Sequence, residues 1–188
     1  MHAEAMNWVK SCREKFSVSP EDRILEVGSY NHNGTVRELF SDSANYVGVD
    51  IIPGPCVDIV GDINNEEFRE FVFELHDGYN IIVSTETLEH TPWKPLLSSM
   101  VQLFDNYSDK LYMVLTCAGD NRPAHSFDGN QRLRPNEWYQ NVNKGELLAF
   151  VTEELNKKFE ETHEFIVVVD SNPGDYDTYL YVEITKCE

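Results

Sequence analysis

The sequence predicts an α/β fold in which a mostly parallel β-sheet carries helices on both faces. Apolar runs alternate along the chain with segments of helical periodicity. Several runs, among them "NIIVST", "LYMVLT" and "FIVVVD", are continuously apolar, as expected for strands that are buried on both faces. The last two runs are joined by Pro173 and Gly174 with no helix between them, which predicts an antiparallel hairpin at the end of the sheet.

The individual elements follow from the same patterns. Seven strands are predicted at Arg23–Gly28, Tyr46–Asp50, Val57–Val60, Asn80–Thr85, Leu111–Cys117, Phe165–Asp170 and Tyr179–Thr185. Helices are predicted at residues 1–17, 35–40, 65–75, 92–105 and 143–158. Residues 1–17 form an amphipathic pattern with Met6, Val9 and Phe16 as candidate contacts. Pro92 favours a helix start at Thr91, because a missing N–H costs little in the first turn.

The length and composition indicate one globular domain spanning residues 1–188. The segment 118–142 is polar and lacks periodicity, so we interpret it as a functional insert after the fifth strand. No secretory signal or membrane span is recognisable, and the four cysteines are widely scattered. These features favour reduced thiols and a cytoplasmic location. The six histidines are also dispersed, so the sequence predicts no metal site.

The formal net charge of −18 constrains the partners. Such a surface repels phosphate backbones, and no basic patch offsets it, so nucleic acid is a disfavoured partner. The same charge is compatible with attraction of a cationic ligand or with a role in solubility alone.

Candidate site residues stand at the carboxyl ends of the predicted strands, where open parallel sheets bind ligands. They are Glu26, Gly28, Ser29, Asn33 and Gly34 after the first strand, Asp50 and Ile51 after the second, Gly61, Asp62 and Ile63 after the third, and Ser84 and Glu86 after the fourth.

Asp50 closes a strand 22 positions after Gly28, which is the usual place for an acid that accepts the hydroxyls of a ribose. The loop before it differs from the dinucleotide fingerprint G-x-G-x-x-G, because Tyr30 stands where the second glycine would approach a pyrophosphate. A cofactor without a pyrophosphate is therefore favoured. S-adenosylmethionine (SAM) is such a cofactor. It offers a ribose to Asp50, an adenine amine to Asp62, and an amino-acid end to the backbone around Gly28 and nearby carboxylates. Its cationic sulfonium suits a polar pocket containing Glu26 and Asp50.

At these residues the sequence resembles the class I SAM-dependent methyltransferases, in particular their type 11-like branch. "ILEVGS", "YVGVDI", "VDIVGDI" and "IIVSTETLEH" are similar to the first four motifs of that family, in the same order. The resemblance implies a Rossmann-like seven-stranded sheet in the order 3-2-1-4-5-7-6 with strand 7 antiparallel. It also implies that the segment containing "RPAHSFDG" and "WYQNV" covers the methyl-transfer site. The first motif departs from the family pattern at Tyr30 and His32, and Asn33-Gly34-Thr35 resembles a loop found in a subset of relatives.

The implied activity is transfer of a methyl group from SAM to a small-molecule acceptor by in-line SN2 displacement, with S-adenosylhomocysteine (SAH) as product. Methylation of an oxygen or nitrogen can require removal of a proton, and His125 and His90 are the candidate bases. His90 is equally compatible with a structural role at a helix start, and His125 with simple exposure in a loop. Tyr139 and Arg122 are further candidates for substrate contact.

The same residues are also compatible with two other classes of protein. A catalytically silent protein could keep the SAM fold and work through partners. A nucleotide-dependent oxidoreductase could use a related sheet, although the terminal antiparallel hairpin disfavours it.

Overall fold

The computed structural model describes residues 3–128, 130–159 and 161–187. Its seven strands are β1 (Arg23–Val27), β2 (Asn45–Asp50), β3 (Ile59–Val60), β4 (Ile81–Thr85), β5 (Lys110–Ala118), β6 (His163–Ser171) and β7 (Asp177–Lys186). Its α-helices are α1 (Ala3–Arg13), α2 (Glu66–Glu74), α3 (Trp93–Gln102) and α4 (Lys144–Phe159), with 3-10 turns at Arg37–Phe40 and Leu88–His90.

All seven strands form one sheet in the order β3-β2-β1-β4-β5-β7-β6. Strands β1 to β5 pair in parallel, and β7 runs antiparallel to both β5 and β6. The strand order and the antiparallel hairpin are therefore confirmed. From β1 the chain builds the sheet outward to β2 and β3 on one side, and from β4 it continues to β5 on the other. The strand order therefore reverses between β1 and β4, and a crevice opens at the carboxyl ends of these two strands.

Helices cover both faces, as predicted, but unequally. Helices α2, α3 and α4 pack on one face over a large apolar cluster that includes Val72, Leu97 and Val151. Helix α1 and the 3-10 turn at Arg37–Phe40 cover the other face, where Val9 and Phe40 are buried.

Helix α1 is shorter than the predicted 1–17, and Met1 and His2 lie outside the described residues. The Nη1 atom of Arg13 donates to the carbonyl of Phe16 at 2.7 Å, so this side chain closes the end of the helix. Phe16 then stacks on Tyr112 of β5, with ring centroids 4.1 Å apart. Val9 and Phe16 are buried and Met6 packs beside them, which confirms the three predicted contacts.

Three boundaries differ from the prediction for local reasons. Residues 35–40 form a 3-10 turn and no α-helix, because a single turn gains too few hydrogen bonds to propagate. Strand β3 begins at Ile59, since the Asp58 carboxylate instead accepts the Gly48 N–H at 2.7 Å. Helix α3 begins at Trp93, because a residue before proline prefers extended backbone and Thr91 adopts it.

The expectation that "FIVVVD" is buried on both faces is wrong. Strand β6 is the sheet edge and alternates between covered and exposed residues, with Ile166 60% and Val168 37% exposed. Helix α4 covers only one of its faces.

No helix among the described residues is both long and apolar enough to span a bilayer.

Candidate functional site

A cleft of about 480 Å³ lies at the carboxyl ends of the central strands. Its walls are the loops after β1, β2, β3 and β4, and residues of the insert 118–142 form its rim. The topology explains this position, because β1 and β4 lead their loops to opposite sides of the same edge.

The structure brings most of the sequence-predicted residues together around this cleft. Lining it are Glu26, Gly28, Ser29, Asn33, Gly34, Asp50, Ile51, Gly61, Asp62, Ile63, Glu86 and His90. Ser84 lies inside the sheet instead: it is fully buried, and its hydroxyl donates to the Val27 carbonyl at 2.7 Å.

Gly28 forms the turn between β1 and the cleft, with φ at +76°. A Cβ atom at this position would lie 2.0 Å from Oγ1 of Thr87. Glycine is therefore required both for the left-handed backbone and for the close approach of the loop after β4.

The loop after Gly28 uses its own backbone donors internally. The N–H groups of Gly28 and Ser29 both donate to the Val49 carbonyl, at 2.9 and 3.1 Å. The N–H of Tyr30 donates to the Asp50 carboxylate at 3.1 Å, and that of Asn31 to the Pro55 carbonyl at 2.9 Å. These four N–H groups therefore do not form a cradle of donors for a phosphate, and no α-helix N-terminus follows them before β2.

Asp50 is held rigidly at the end of β2. One carboxylate oxygen accepts the Tyr30 N–H, and the other accepts the Ile52 N–H at 3.1 Å. A carboxylate offers about four lone-pair positions, so both oxygens can accept further hydrogen bonds from a ligand. Asp62 is fixed in the same way, because its Oδ1 atom accepts the Asn64 N–H at 2.9 Å.

Glu26 is a buried carboxylate in the floor of the cleft. Burial raises its pKa to about 7, although the hydroxyl of Tyr46 donates to its Oε2 atom at 2.8 Å and opposes the shift. The guanidinium of Arg37 lies 4.8 Å from the centre of the Tyr46 ring and pairs with Asp58 at 2.9 Å. Tyr46 was not singled out by the sequence, since nothing local marks a tyrosine at a strand start as the partner of an acid on the neighbouring strand.

Glu86 follows β4 in a left-handed conformation, with φ at +55°. Its carboxylate accepts the Thr116 hydroxyl at 3.0 Å and pairs with Arg122 of the insert at 3.1 Å. Arg122 also pairs with the buried carboxylate of Asp177 at the start of β7. An unfavourable backbone conformation at a non-glycine residue is common at functional sites, where surrounding contacts hold it.

The two candidate bases meet although they are far apart in the chain. The ring centroids of His90 and His125 are 5.2 Å apart, and the ring of Tyr139 lies 5.0 Å from that of His125. Burial, and next the neighbouring His125, lowers the pKa of His90 to about 4. His90 is thus neutral near pH 7, and the lowered pKa makes it a weak base there.

Beside these rings lies Glu89, which is fully buried. Burial, and next the charge of Glu86, raises the pKa of Glu89 to about 8. Sequence reasoning missed this residue, because "TLEH" gives no sign that its glutamate points inward.

The insert is irregular between β5 and α4, as predicted, and it contributes four lining residues that the sequence analysis did not name individually: Phe127, Asn136, Glu137 and Trp138. Phe127 is 45% and Trp138 49% exposed at the mouth of the cleft. The sequence did contain a signal for them, because "RPAHSFDG" and "NEWY" each place a large aromatic residue within an otherwise polar segment.

The cleft is strongly acidic. It is lined by the carboxylates of Glu26, Asp50, Asp62, Glu86 and Glu137, and none of the described lining residues is lysine or arginine.

Comparison with known proteins gives matches among solved structures. No protein-family model matches the chain, and no curated protein matches its sequence. One similar structure is 1,6-didemethyltoxoflavin-N1-methyltransferase of Burkholderia thailandensis, with bound 1,6-didemethyltoxoflavin and SAH. Its TM-score is 0.59 at 10% identity, over 98% of this chain and 79% of that one.

Two further solved structures match the chain to a similar degree. The N-methyltransferase NodS of Bradyrhizobium japonicum, in complex with SAH, has a TM-score of 0.56 at 14% identity, over 98% of this chain and 86% of NodS. The YcgJ protein of Bacillus subtilis has a TM-score of 0.60 at 11% identity, with the whole of both chains covered. The chain therefore has the fold of the class I SAM-dependent methyltransferases.

Proposed function

We propose that this protein is a SAM-dependent methyltransferase. The observation that carries the proposal is the pair of fixed carboxylates, Asp50 and buried Glu26, that line one cleft at the strand-order reversal. Asp50 would accept the ribose hydroxyls, Asp62 would lie at the adenine amine, and Glu26 would attract the ammonium end of the cofactor. The cleft volume of about 480 Å³ lies within the usual range for small-molecule sites.

The chemistry of the cleft supports this cofactor over a dinucleotide. A pyrophosphate needs N–H donors or a helix N-terminus, whereas here the loop amides are engaged within the protein and the lining charges are negative. A cofactor that carries an ammonium and a sulfonium suits such a lining. An NAD-type oxidoreductase is therefore disfavoured.

The acceptor side would lie under the insert. Phe127 and Trp138 supply apolar contact at the mouth of the cleft, and Asn136 and Glu137 supply polar contact. An organic small molecule fits this mixture, and a neighbour of the same fold was crystallised with one. The bound cofactor supplies an activated methyl group, so the protein mainly aligns the acceptor and excludes water. His90 and His125 would receive or relay the acceptor's proton.

Calorimetric titration with SAM, SAH and NAD tests the cofactor assignment. We expect SAM and SAH to bind and NAD to bind more weakly. Asp50→Ala should weaken SAM binding by about 1.5 to 3 kcal/mol, because hydrogen bonds to a charged group are lost. Asp170→Ala, on the exposed edge strand β6, is the matched control and should bind like the wild type. Unchanged affinity of Asp50→Ala would remove Asp50 from the site.

A second measurement separates an enzyme from a silent binding protein. Incubation with SAM labelled in its methyl group and fractionated small-molecule extract should transfer label to a low-molecular-weight product. Tight SAM binding without transfer to any fraction would favour the silent alternative.

A further inference from the structure

Three side chains with metal-ligating atoms converge beside the acceptor end of the cleft. They are Glu89, His90 and His125, and each offers a ligand atom within 4.8 Å of the other two. The first two follow β4 and the third belongs to the insert, so the cluster forms only when the insert closes over the strand end. Dispersal of the histidines along the sequence concealed this convergence.

Glu89 is the residue that most clearly suits this cluster to a ligand. Its side chain is fully buried, and among the described residues neither carboxyl oxygen accepts a hydrogen bond of normal geometry. The backbone N–H groups of Glu89 and Ala118 only partly oppose the rise in its pKa that burial causes. A buried carboxyl group without a partner costs several kcal/mol in general, so such groups are normally paired or coordinate a metal. The backbone of Glu89 is itself fixed, because its carbonyl accepts the Gln140 N–H at 2.8 Å.

His125 is oriented as a metal ligand would be. Its Nδ1 atom lies 3.1 Å from the Pro123 carbonyl, which places the proton on Nδ1 and the lone pair on Nε2. Metal-ligating histidines usually donate their second ring N–H to a backbone carbonyl or carboxylate in this way.

From this geometry we propose that Glu89, His90 and His125 form a binding site for a divalent first-row transition metal of the Zn²⁺ type. One carboxylate and two imidazoles are a donor set used by catalytic zinc sites, which keep one further position open. Mg²⁺ prefers oxygen ligands and should bind this set poorly. A small side-chain adjustment would bring three atoms that lie within 4.8 Å of one another to the usual distance of about 2 Å from a shared ion.

The location gives the site a use, which rests on the proposed methyltransferase function. His90 lines the cleft, so a metal held by this cluster would lie beside a bound acceptor. The metal would coordinate an acceptor oxygen or nitrogen and favour loss of its proton to solvent. In that case His90 and His125 would act as metal ligands, and they would not serve as bases. That atom then forms a bond to the methyl carbon while the carbon–sulfur bond breaks and its electron pair stays on sulfur.

Calorimetric titration of the metal-free full-length protein with Zn²⁺ alone, and with Mg²⁺ alone, tests the site. We expect one equivalent of Zn²⁺ to bind, and Mg²⁺ to bind at least about tenfold more weakly. Glu89→Gln and His125→Ala should each weaken Zn²⁺ binding by about 10-fold to 100-fold. His76→Ala, at a histidine outside the cluster, should leave it unchanged.

Thermal unfolding keeps the test informative if a variant folds poorly. Zn²⁺ should raise the melting temperature of the wild-type protein and of His76→Ala but not that of Glu89→Gln, which should be at least as stable as the wild type without metal. No Zn²⁺ binding, or equal Zn²⁺ affinity in wild type and both cluster variants, would overturn the proposal. Because neither readout uses SAM, their failure is distinguishable from failure of the methyltransferase assignment.

Discussion

Glu26 is the residue through which pH should act on cofactor binding. Its charged form attracts the ammonium end of SAM, and burial raises its pKa to about 7. We therefore expect SAM affinity to rise as pH increases through about 7. Above this pH the Glu26 carboxyl group is already ionised before SAM binds, so binding does not have to include the loss of its proton. Calorimetric titrations across this range measure the change. A pH-independent affinity would show that Glu26 does not contact the cofactor.

Glu26→Gln is the control for this dependence, since it keeps the shape and removes the charge. The variant should bind SAM more weakly above pH 7 and show little change with pH. Glu26→Gln should also change the pH dependence of the free energy of unfolding, which can be measured without any ligand. A carboxyl group whose pKa rises from 4.5 to about 7 on folding makes the wild-type free energy of unfolding fall as pH rises between those values. Glu26→Gln should lose that part of the slope in denaturant titrations.

Gly28→Ala tests the turn that places the loop against β4. The substitution puts a side chain on a left-handed residue and a Cβ atom 2.0 Å from the Thr87 side chain. We expect a loss of about 2 kcal/mol or more in the free energy of unfolding, since the backbone cost alone is about 1 to 2 kcal/mol. Chemical denaturation measures it.

Gly145→Ala is a matched control at the start of α4, where the nearest atom to an added Cβ is an asparagine oxygen at 3.2 Å. Alanine favours helix, so this variant should be as stable as the wild type or slightly more stable. Equal destabilisation of both variants would mean that the turn at Gly28 has no special requirement.

Single residues show what sequence spacing can and cannot reveal. Gly28 and Asp50 could be placed at the cleft because strand ends and a fixed spacing determine their positions. Tyr46 and Glu89 could not, because their contacts depend on which neighbouring strand or loop packs against them. The meeting of His90 with His125 likewise depends on the path of an irregular insert, which no periodicity encodes.

The insert is the element on which the acceptor side depends, and Arg122 anchors it. Arg122 pairs with Glu86 after β4 and with the buried Asp177 of β7. Arg122→Ala should lower the free energy of unfolding by about 3 to 5 kcal/mol, because it removes the cationic partner of the buried Asp177 carboxylate and of Glu86. The insert should also become more sensitive to limited proteolysis.

Arg134→Ala is the control within the same element. Its guanidinium pairs with Asp128, but the Arg134 side chain is 54% exposed. Exposed pairs contribute about 1 kcal/mol or less, so this variant should resemble the wild type in stability and in its digestion pattern. Faster cleavage of both variants to the same extent would indicate that Arg122 is no more than one of several surface contacts.

At the level of elements, the order of helices and strands was predictable and the coverage of each strand was not. The terminal hairpin followed from a Pro-Gly turn without an intervening helix. Strand β6 has the same apolar composition as a central strand, yet it lies at the edge, because its position is set by pairing with β7. The short turn at residues 37–40 looked helical because apolar spacing alone does not reveal how few residues a segment contains.

On the scale of the whole molecule, the net charge of −18 and the acidic cleft have the same sign. The field of the protein therefore favours approach of cations and opposes approach of nucleic acids. SAM carries one net positive charge, from its ammonium and sulfonium against its carboxylate, whereas SAH is neutral overall. The two ligands otherwise share the same shape, so they form a natural pair for measuring the electrostatic contribution.

We expect the ratio of SAM affinity to SAH affinity to fall as sodium chloride is raised from low concentration to about 0.5 M, since the Debye length shortens from about 30 Å at 0.01 M to less than 10 Å. Affinity for SAH itself should change little, because hydrogen bonds and apolar contacts are weakly screened. Parallel calorimetric titrations of both ligands provide the ratio, and potassium chloride controls for effects of a specific ion. A ratio that is constant with salt would show that the acidic lining does not select the cationic cofactor, and the negative surface would then serve solubility alone.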